Sequence, residues 1–203
     1  SHDSMSLWMR THRPGKVVVF YGTDKTELDQ SATLQTTSIE DDNTGILKLD
    51  KLQANTRYYY RVEDHQLSGS FRTLPHADDF RNATGNPEGL FNFKFEFACG
   101  NNQRGGGDSA GPTLPVFDTL NRQVRDEIHF AILNGDWLYE DQRAYPASEW
   151  LHQVGIASLG QAPDIVQKAP TVVGVWENYK IYLERGRNLS EWHRHVPSFY
   201  TAD

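Results

Sequence analysis

Residues 129–141, HFAILNGDWLYED, join an apolar run to an Asn-Gly-Asp sequence and then to further acids and a tyrosine. The apolar run has the length of a strand rather than a helix, and a glycine follows it, so it predicts a buried strand. Gly135 lets a ligand or a metal approach the backbone where that strand ends. The stretch therefore predicts a strand that carries oxygen ligands at its end.

Asp136 and Tyr139 are the candidate ligands in this stretch. Carboxylate and phenolate oxygens are hard donors that suit Fe(III), Ca(II), Mn(II) or Mg(II). A phenol with a pKa of about 10 ionises at neutral pH only beside a strong cation. If a helix begins just after the strand, the two side chains lie one turn apart and can face one cavity. The alternative, a solvated turn whose acids favour a helix N-terminus, stays open at this point.

A second strand precedes this one. Residues 93–99, FKFEFAC, alternate and place Phe93, Phe95 and Phe97 on one face. A long loop follows, and residues 115–127 then have apolar side chains at helical spacings. Strand, helix and strand form a βαβ unit, which builds a parallel sheet with ligand sites beyond the carboxyl ends of its strands. We therefore expect Cys99 and Asp136 at one edge of a sheet, on neighbouring strands.

Cys99 is the one cysteine of the chain, so no internal disulfide can form. Its position leaves two interpretations open, a buried apolar thiol and a thiolate metal ligand. His193 and His195 alternate in EWHRHVP and could be paired ligands in an extended segment, but surface positions at a helix end are favoured. The glycine-rich loop GGGDSAG lacks the Gly-Lys-Ser/Thr ending of a phosphate-binding Walker loop.

Residues 1–75 have the pattern of short strands separated by turns. In RYYYRV, Tyr58, Tyr60 and Val62 fall on one strand face. Leu52, Thr56 and Tyr58 have the spacing of a tyrosine corner, in which the phenol bonds to upstream backbone. This part resembles a fibronectin type III-like β-sandwich, and the polar, Gly- and Pro-bearing residues 76–92 predict a linker.

The last third predicts a short helix from residue 147, a longer helical stretch interrupted near Gly186, and a final strand in PSFYTAD that ends at Asp203. The net charge of −7 offers no basic stripe, so nucleic-acid binding is not expected. No run approaches the roughly 20 apolar residues of a membrane span, and no signal peptide is visible. The chain begins at Ser1, as would an exported protein whose signal has been removed or a fragment of a longer protein. Of these we expect an exported protein, periplasmic, extracellular or on the cell surface.

Taken in order, the segments SFRTLP, FKFEFACGNNQ, HFAILNGDWLYED and HVPSFYTAD resemble PhoD-type alkaline phosphatases/phosphodiesterases. The resemblance implies a fibronectin type III-like β-sandwich over residues 1–75, a linker over 76–92, and over 93–203 the first part of an α/β metallophosphoesterase domain with two packed sheets flanked by helices. It also implies an enzyme that hydrolyses phosphate monoesters or diesters with Fe(III) and Ca(II).

The resemblance implies three metal ligands in this chain. Asp136 and Tyr139 match the family's Gly-Asp-x-x-Tyr-Glu motif, and Cys99 matches the cysteine that ends the first catalytic strand. Gly100 stands where that cysteine is expected, so ligation by Cys99 needs a local shift or a bulge. Asp203 would open the family's Asp-Asp-His-Glu motif, so we expect the remaining ligands beyond it and a chain that is incomplete for catalysis on its own.

Two other interpretations remain. The chain could be a non-catalytic binding or adhesion module with a degenerate phosphatase remnant. It could also be another calcineurin-like phosphoesterase, such as a purple acid phosphatase, but that class requires Asp-x-His at the first strand, where this chain has FACGN.

Overall fold

A computed structural model describes residues 1–35, 37–90, 93–100, 103, 105–106, 109–110, 113–136, 146–153 and 162–201. These residues form mixed sheets and helices. Six strands occupy the N-terminal part, as the alternating segments predicted: β1 (Ser4–Arg10), β2 (Val17–Gly22), β3 (Gln30–Leu34), β4 (Thr44–Asp50), β5 (Arg57–Val62) and β6 (Ser68–Arg72).

The six N-terminal strands form two antiparallel sheets, β1-β4 and β3-β2-β5-β6. Alternate residues of both sheets meet in one apolar core, to which β2 contributes Val19, β4 contributes Leu49 and β6 contributes Phe71. Tyr58 lies in the same core, stacked on Phe71 with 5.5 Å between ring centroids. Its hydroxyl accepts a hydrogen bond from the upstream Gln53 N–H at 2.9 Å, which confirms the bond predicted from the tyrosine-corner spacing.

The stretch predicted as a linker begins with a 3₁₀ helix, Ala77–Phe80. His76 caps this helix, because its side chain accepts from the Asp78 N–H and its own N–H donates to the Asp79 carboxylate. Asn82 and Asn86 then exchange backbone hydrogen bonds across a tight turn.

The C-terminal part contains a three-stranded parallel sheet in the order β11-β10-β7. Its elements and their neighbours in chain order are β7 (Phe95–Ala98), β8 (Gly105–Gly106), β9 (Ser109–Ala110), α1 (Pro115–Gln123), β10 (Phe130–Asn134), α2 (Ala147–Gln153), α3 (Asp164–Lys168), α4 (Val172–Arg185), α5 (Arg187–His195) and β11 (Ser198–Thr201). The predicted βαβ unit is confirmed, since β7, α1 and the parallel β10 follow one another.

The helical stretch breaks at Gly186, as predicted, between α4 and α5. A Cβ atom at this position would lie 2.7 Å from Gln103 Nε2 and 2.8 Å from the Tyr182 carbonyl oxygen. Glycine therefore allows the two helices to meet against the buried Gln103, whose Nε2 donates to that same carbonyl at 2.7 Å.

The two faces of the parallel sheet have different neighbours. Helices α1 and α5 cover one face, where Ala131 packs in a buried cluster with Phe117, Leu189 and Trp192. The opposite face carries the phenylalanines of the three strands, and we call it the aromatic face: Phe93, Phe95, Phe97, Phe130 and Phe199. Phe95, Phe97 and Phe199 are 47%, 60% and 61% exposed.

Asp42 connects the N-terminal sheets to the helices. Its buried carboxylate accepts two hydrogen bonds from Arg10, each 2.9 Å long, and one from the Trp150 indole N–H at 2.9 Å. The Lys180 ammonium lies 3.6 Å away. Because Trp150 belongs to α2 and Lys180 to α4, this one carboxylate joins residues more than 100 positions apart.

Among the described helices, none has the length and hydrophobicity of a membrane span.

Candidate functional site

The candidate site lies at the carboxyl edge of the parallel sheet. Ala98, the last residue of β7, pairs with Leu133, and Asn134, the last residue of β10, pairs with Thr201. Because all three strands run in one direction, the segments that follow them leave the sheet at the same edge. Cys99 and Asp136 therefore follow neighbouring strands at one edge, as the sequence predicted.

Two left-handed residues turn the chain sharply after β10. Gly135 has φ of 68° and the half-buried Asp136 has φ of 45°. Glycine adopts this region without penalty, and aspartate is one of the few other residues that tolerate it. The turn therefore places Asp136 directly beyond the end of β10.

Cys99 is exposed. The interpretation of this residue as a buried core thiol is therefore wrong, because the chain turns away from the sheet as soon as β7 ends. Gly100 makes that turn with φ of 80°, in the left-handed region that favours glycine. An exposed thiol beside an open turn is accessible to a cation at the sheet edge, as a ligand would have to be.

Asn134 contributes to the same edge and was not among the predicted site residues. Its side-chain oxygen accepts a hydrogen bond from the Thr201 hydroxyl at 2.9 Å. This bond ties the ends of β10 and β11 beside the Gly-Asp turn. An amide directly before Gly-Asp was the available sequence signal, but its partner lies 67 residues away.

Tyr139 and Asp203 lie outside the described residues. Within the described ranges no three His, Cys, Asp or Glu side chains are grouped as a metal site. Two possible donors are described, the Cys99 thiol and the Asp136 carboxylate. They suit a cation, because both groups are anionic when they bind a metal. Both also lie at the edge where parallel sheets bind ligands.

His193 and His195 lie in the last turn of α5, at a helix end as expected. They are not the surface residues that the sequence favoured, and they face different partners. His193 Nδ1 lies 2.9 Å from Ser198 Oγ, and its Nε2 lies 2.8 Å from the Tyr200 hydroxyl. His195 Nδ1 lies 3.0 Å from Ser70 Oγ. The alternative of two paired ligands in an extended segment is therefore also wrong.

Burial shifts the pKa values of both histidines and of the neighbouring Tyr200. It lowers the pKa of His193 from 6.5 to about 4 and raises the pKa of Tyr200. Burial and then the positive charge of Arg125 lower the pKa of His195, with Glu191 acting in the opposite direction. Neutral imidazoles therefore hold the end of α5 to β11 and to β6.

No family model matches the chain, and no curated protein sequence matches it. Among solved structures, one described as the structure of PhoD matches 100% of the chain with a TM-score of 0.65 and 18% sequence identity. The chain spans 36% of the length of that PhoD chain. A purple acid phosphatase, PPD1 from yellow lupin seeds, matches with a TM-score of 0.48 and 9% identity over 33% of its length, which is too weak to carry an argument.

The fold of the chain is therefore similar to that of a solved structure more than twice its length. In particular, the chain resembles PhoD over its whole length, which confirms the resemblance found in the sequence at the level of the fold.

Proposed function

We propose that this chain is part of a PhoD-like, metal-dependent phosphoester hydrolase. The observation that carries the proposal is the placement of Cys99 and Asp136 at one carboxyl edge of a parallel sheet, within a PhoD-like fold. We further propose the division into a fibronectin type III-like sandwich (1–75), a linker (76–92) and a metallophosphoesterase portion (93–203).

In this proposal three side chains hold the metals. Asp136 would hold both Fe(III) and Ca(II), and Cys99 and Tyr139 would hold the ferric ion as thiolate and phenolate. When bound, such cations neutralise charge on the phosphoryl group and lower the pKa of a bound water. The Gly135–Asp136 turn presents the carboxylate beyond the sheet. The hydrogen bond between Asn134 and Thr201 holds the end of β11 beside the end of β10, next to this turn.

The aromatic face supports the two-sheet part of the proposed architecture. Parallel sheets are found with both faces covered, since their strands are apolar on both sides. Here one face is closed by α1 and α5, while Phe95, Phe97 and Phe199 remain exposed. We propose that the second sheet of the metallophosphoesterase fold packs on this face in the complete enzyme.

The test is metal content together with hydrolysis. The wild-type protein, reconstituted with iron and calcium and desalted, should retain iron by elemental analysis, and Asp136→Asn should lose most of it. In an enzyme-length chain, Asp136→Asn should lower hydrolysis of bis(p-nitrophenyl) phosphate by about 10²-fold or more, because the bridging charge is lost. Asp126→Asn, an exposed acid that precedes β10, is the matched control and should change neither.

Equal iron retention in the wild type and Asp136→Asn would contradict the assignment of Asp136. A folded protein that binds no metal and hydrolyses no phosphoester at enzyme length would instead support the alternative of a binding or adhesion module with a degenerate phosphatase remnant.

A further inference from the structure

A cleft of about 1250 Å³ lies between the outer face of the β3-β2-β5-β6 sheet and the end of α5. The sheet side carries residues that alternate with the core positions, among them Arg61 and Arg72. The opposite side carries Arg125 and Glu191. Contacts across it fix its shape, since the Tyr60 hydroxyl donates to the Arg194 carbonyl at 3.1 Å and Arg57 donates to the Asp126 carbonyl at 2.8 Å.

Positive charge dominates this cleft, although the chain as a whole carries −7. Two acidic side chains line it, Asp126 and Glu191. Five basic side chains line it with them, and we call the space they surround the basic cleft: Lys25, Arg57, Arg61, Arg72 and Arg125.

Both acids of the basic cleft already have cationic partners. Asp126 lies 3.7 Å from Arg57 and 3.7 Å from Arg125. Glu191 contacts Arg194 and His195 and lies 3.7 Å from Arg125. Within the described residues, Lys25, Arg61 and Arg72 have no acidic partner. The cleft therefore has an excess of cations.

The contacts of the remaining cations orient them without neutralising them. Arg61 lies over the Phe20 ring, 5.3 Å from its centroid, and Arg72 donates to the Asn55 side-chain oxygen at 2.8 Å. Arg125, on the opposite side, lies 3.7 Å from each of the two acids and adds its charge to the cleft without being one of these unpaired cations. Guanidinium groups held in place and short of acceptors are the usual recognition elements for phosphate oxygens.

Two neighbouring groups, Arg57 and His129, have pKa values lowered first by burial and then by nearby positive charges. Burial lowers the pKa of Arg57, against the attraction of Asp126. Burial also lowers the pKa of His129, and the positive charges of Arg72, Arg57 and Lys94 lower it further. An anion in the basic cleft would reduce this mutual repulsion.

The basic cleft is separate from the candidate metal edge. Asp126 precedes β10, whereas Asp136 follows it, so the two sites lie at opposite ends of that strand. A strand of this length spans roughly 16 Å. The cleft volume of about 1250 Å³ is that of a pocket for a molecule larger than a single phosphate group.

We propose that the basic cleft binds an anion with two or more linked phosphate groups, at a site distinct from the metal edge. Arginines of β5 and β6 would bind one phosphate group, and Arg125 would bind another from the opposite side. The proposal does not depend on phosphoesterase activity.

Calorimetric titration of the EDTA-dialysed protein with sodium tripolyphosphate and with sodium phosphate, at equal ionic strength, tests this. We expect one site per chain and binding of tripolyphosphate roughly tenfold or more tighter than that of phosphate, because a second phosphate adds charge-assisted hydrogen bonds. The triple variant Lys25→Gln/Arg61→Gln/Arg72→Gln should weaken tripolyphosphate binding by about tenfold or more.

The control variant Arg81→Gln/Arg122→Gln/Lys168→Gln removes three exposed charges outside the basic cleft and should change the affinity less than about twofold. No binding to the wild type, or equal weakening in both triple variants, would overturn the proposal. Asp136→Asn should bind tripolyphosphate like the wild type, so failure of the metal assignment is distinguishable.

A second measurement needs no variant. Phenylglyoxal should modify Arg61 and Arg72 of the wild type, and tripolyphosphate should protect these two residues but not Arg81 or Arg122 when modification is mapped by mass spectrometry. Equal modification with and without tripolyphosphate would overturn the proposal even if the triple variant fails to fold.

Discussion

The two faces of the parallel sheet are built from alternate residues of the same three strands. On the helix-covered face Ala131 is buried in a cluster that contains the fully buried Trp192, and Leu133 is also buried. On the aromatic face Phe97, paired with Ile132, is 60% exposed. The more aromatic face is thus the less covered one, because coverage depends on which layer packs on a strand and not on the apolar character of its side chains.

The covered face also carries three polar residues of the sheet. Glu96 pairs with Ala131, and burial raises the pKa of its carboxyl group. Ser198 and Tyr200 of β11 lie on the same face and contact His193 of α5. Docking of α5 therefore combines an apolar cluster with a hydrogen-bonded edge, and these two parts should respond differently to substitution and to pH.

The largest effect should come from Trp192→Ala. Loss of a fully buried indole from the α1–α5 cluster should lower the free energy of unfolding by about 3–5 kcal/mol. Denaturant unfolding followed by far-UV circular dichroism measures it. Trp192→Phe, which keeps an aromatic ring beside Phe117, should cost clearly less. A loss below about 1 kcal/mol for Trp192→Ala would mean that α5 does not close this face.

An intermediate, pH-dependent effect should come from His193. Its pKa is about 4 in the folded protein against 6.5 unperturbed, so between these values the unfolded chain binds more protons. The stability that the neutral imidazole contributes is therefore present above about pH 6.5 and is lost as the pH falls towards 4.

Unfolding of the wild type and of His193→Gln, measured from pH 7 to pH 4, isolates this contribution. The wild type should lose more of its free energy of unfolding over that range than the variant does. His195 and Glu96 titrate in both proteins, so their contributions cancel in the difference. If the free energy of unfolding falls equally with pH in both proteins, folding does not lower the pKa of His193, and the prediction is wrong.

The smallest effect should come from the aromatic face. Phe97→Ala should change the free energy of unfolding of this chain by no more than about 1 kcal/mol, because most of the ring is already in water. Leu133→Ala, on the covered face of the adjacent strand, is the matched control and should cost about 2–5 kcal/mol. An equal loss of the free energy of unfolding in Phe97→Ala and Leu133→Ala would contradict the difference in coverage between the two faces.

Local pattern was enough to predict most elements of the fold. The alternation in RYYYRV, the glycine after HFAILN and the break at Gly186 each depend on residues close in sequence, and the structure confirms the strand, the strand end and the interruption. Placement of Cys99 and Asp136 at one edge also followed, because it needs only strand direction and the right-handed βαβ connection. Their metal ligation, with that of Tyr139, stays a prediction.

The features that the sequence did not predict depend on contacts between residues that are far apart in the chain. Cys99 could not be separated from a core thiol without knowing that the chain turns outward at Gly100. His193 and His195 resembled surface residues because their partners are set by how α5 docks on β11 and β6. The net charge of −7 gave no indication of the basic cleft, because Arg61 and Arg125 are 64 positions apart and line one cleft only in the folded chain.

Asp42 sets a limit on how this protein can be divided. A shortened chain that begins after the 76–92 segment would lack this carboxylate, so the buried Trp150 indole would have no acceptor and Lys180 would keep only Glu177 as a counter-charge among the described residues. A buried donor without a partner costs about 1–3 kcal/mol. Expression or crystallisation of the helical half should therefore retain the N-terminal sheets that hold Asp42, or replace Trp150 with an aromatic side chain that has no hydrogen-bond donor.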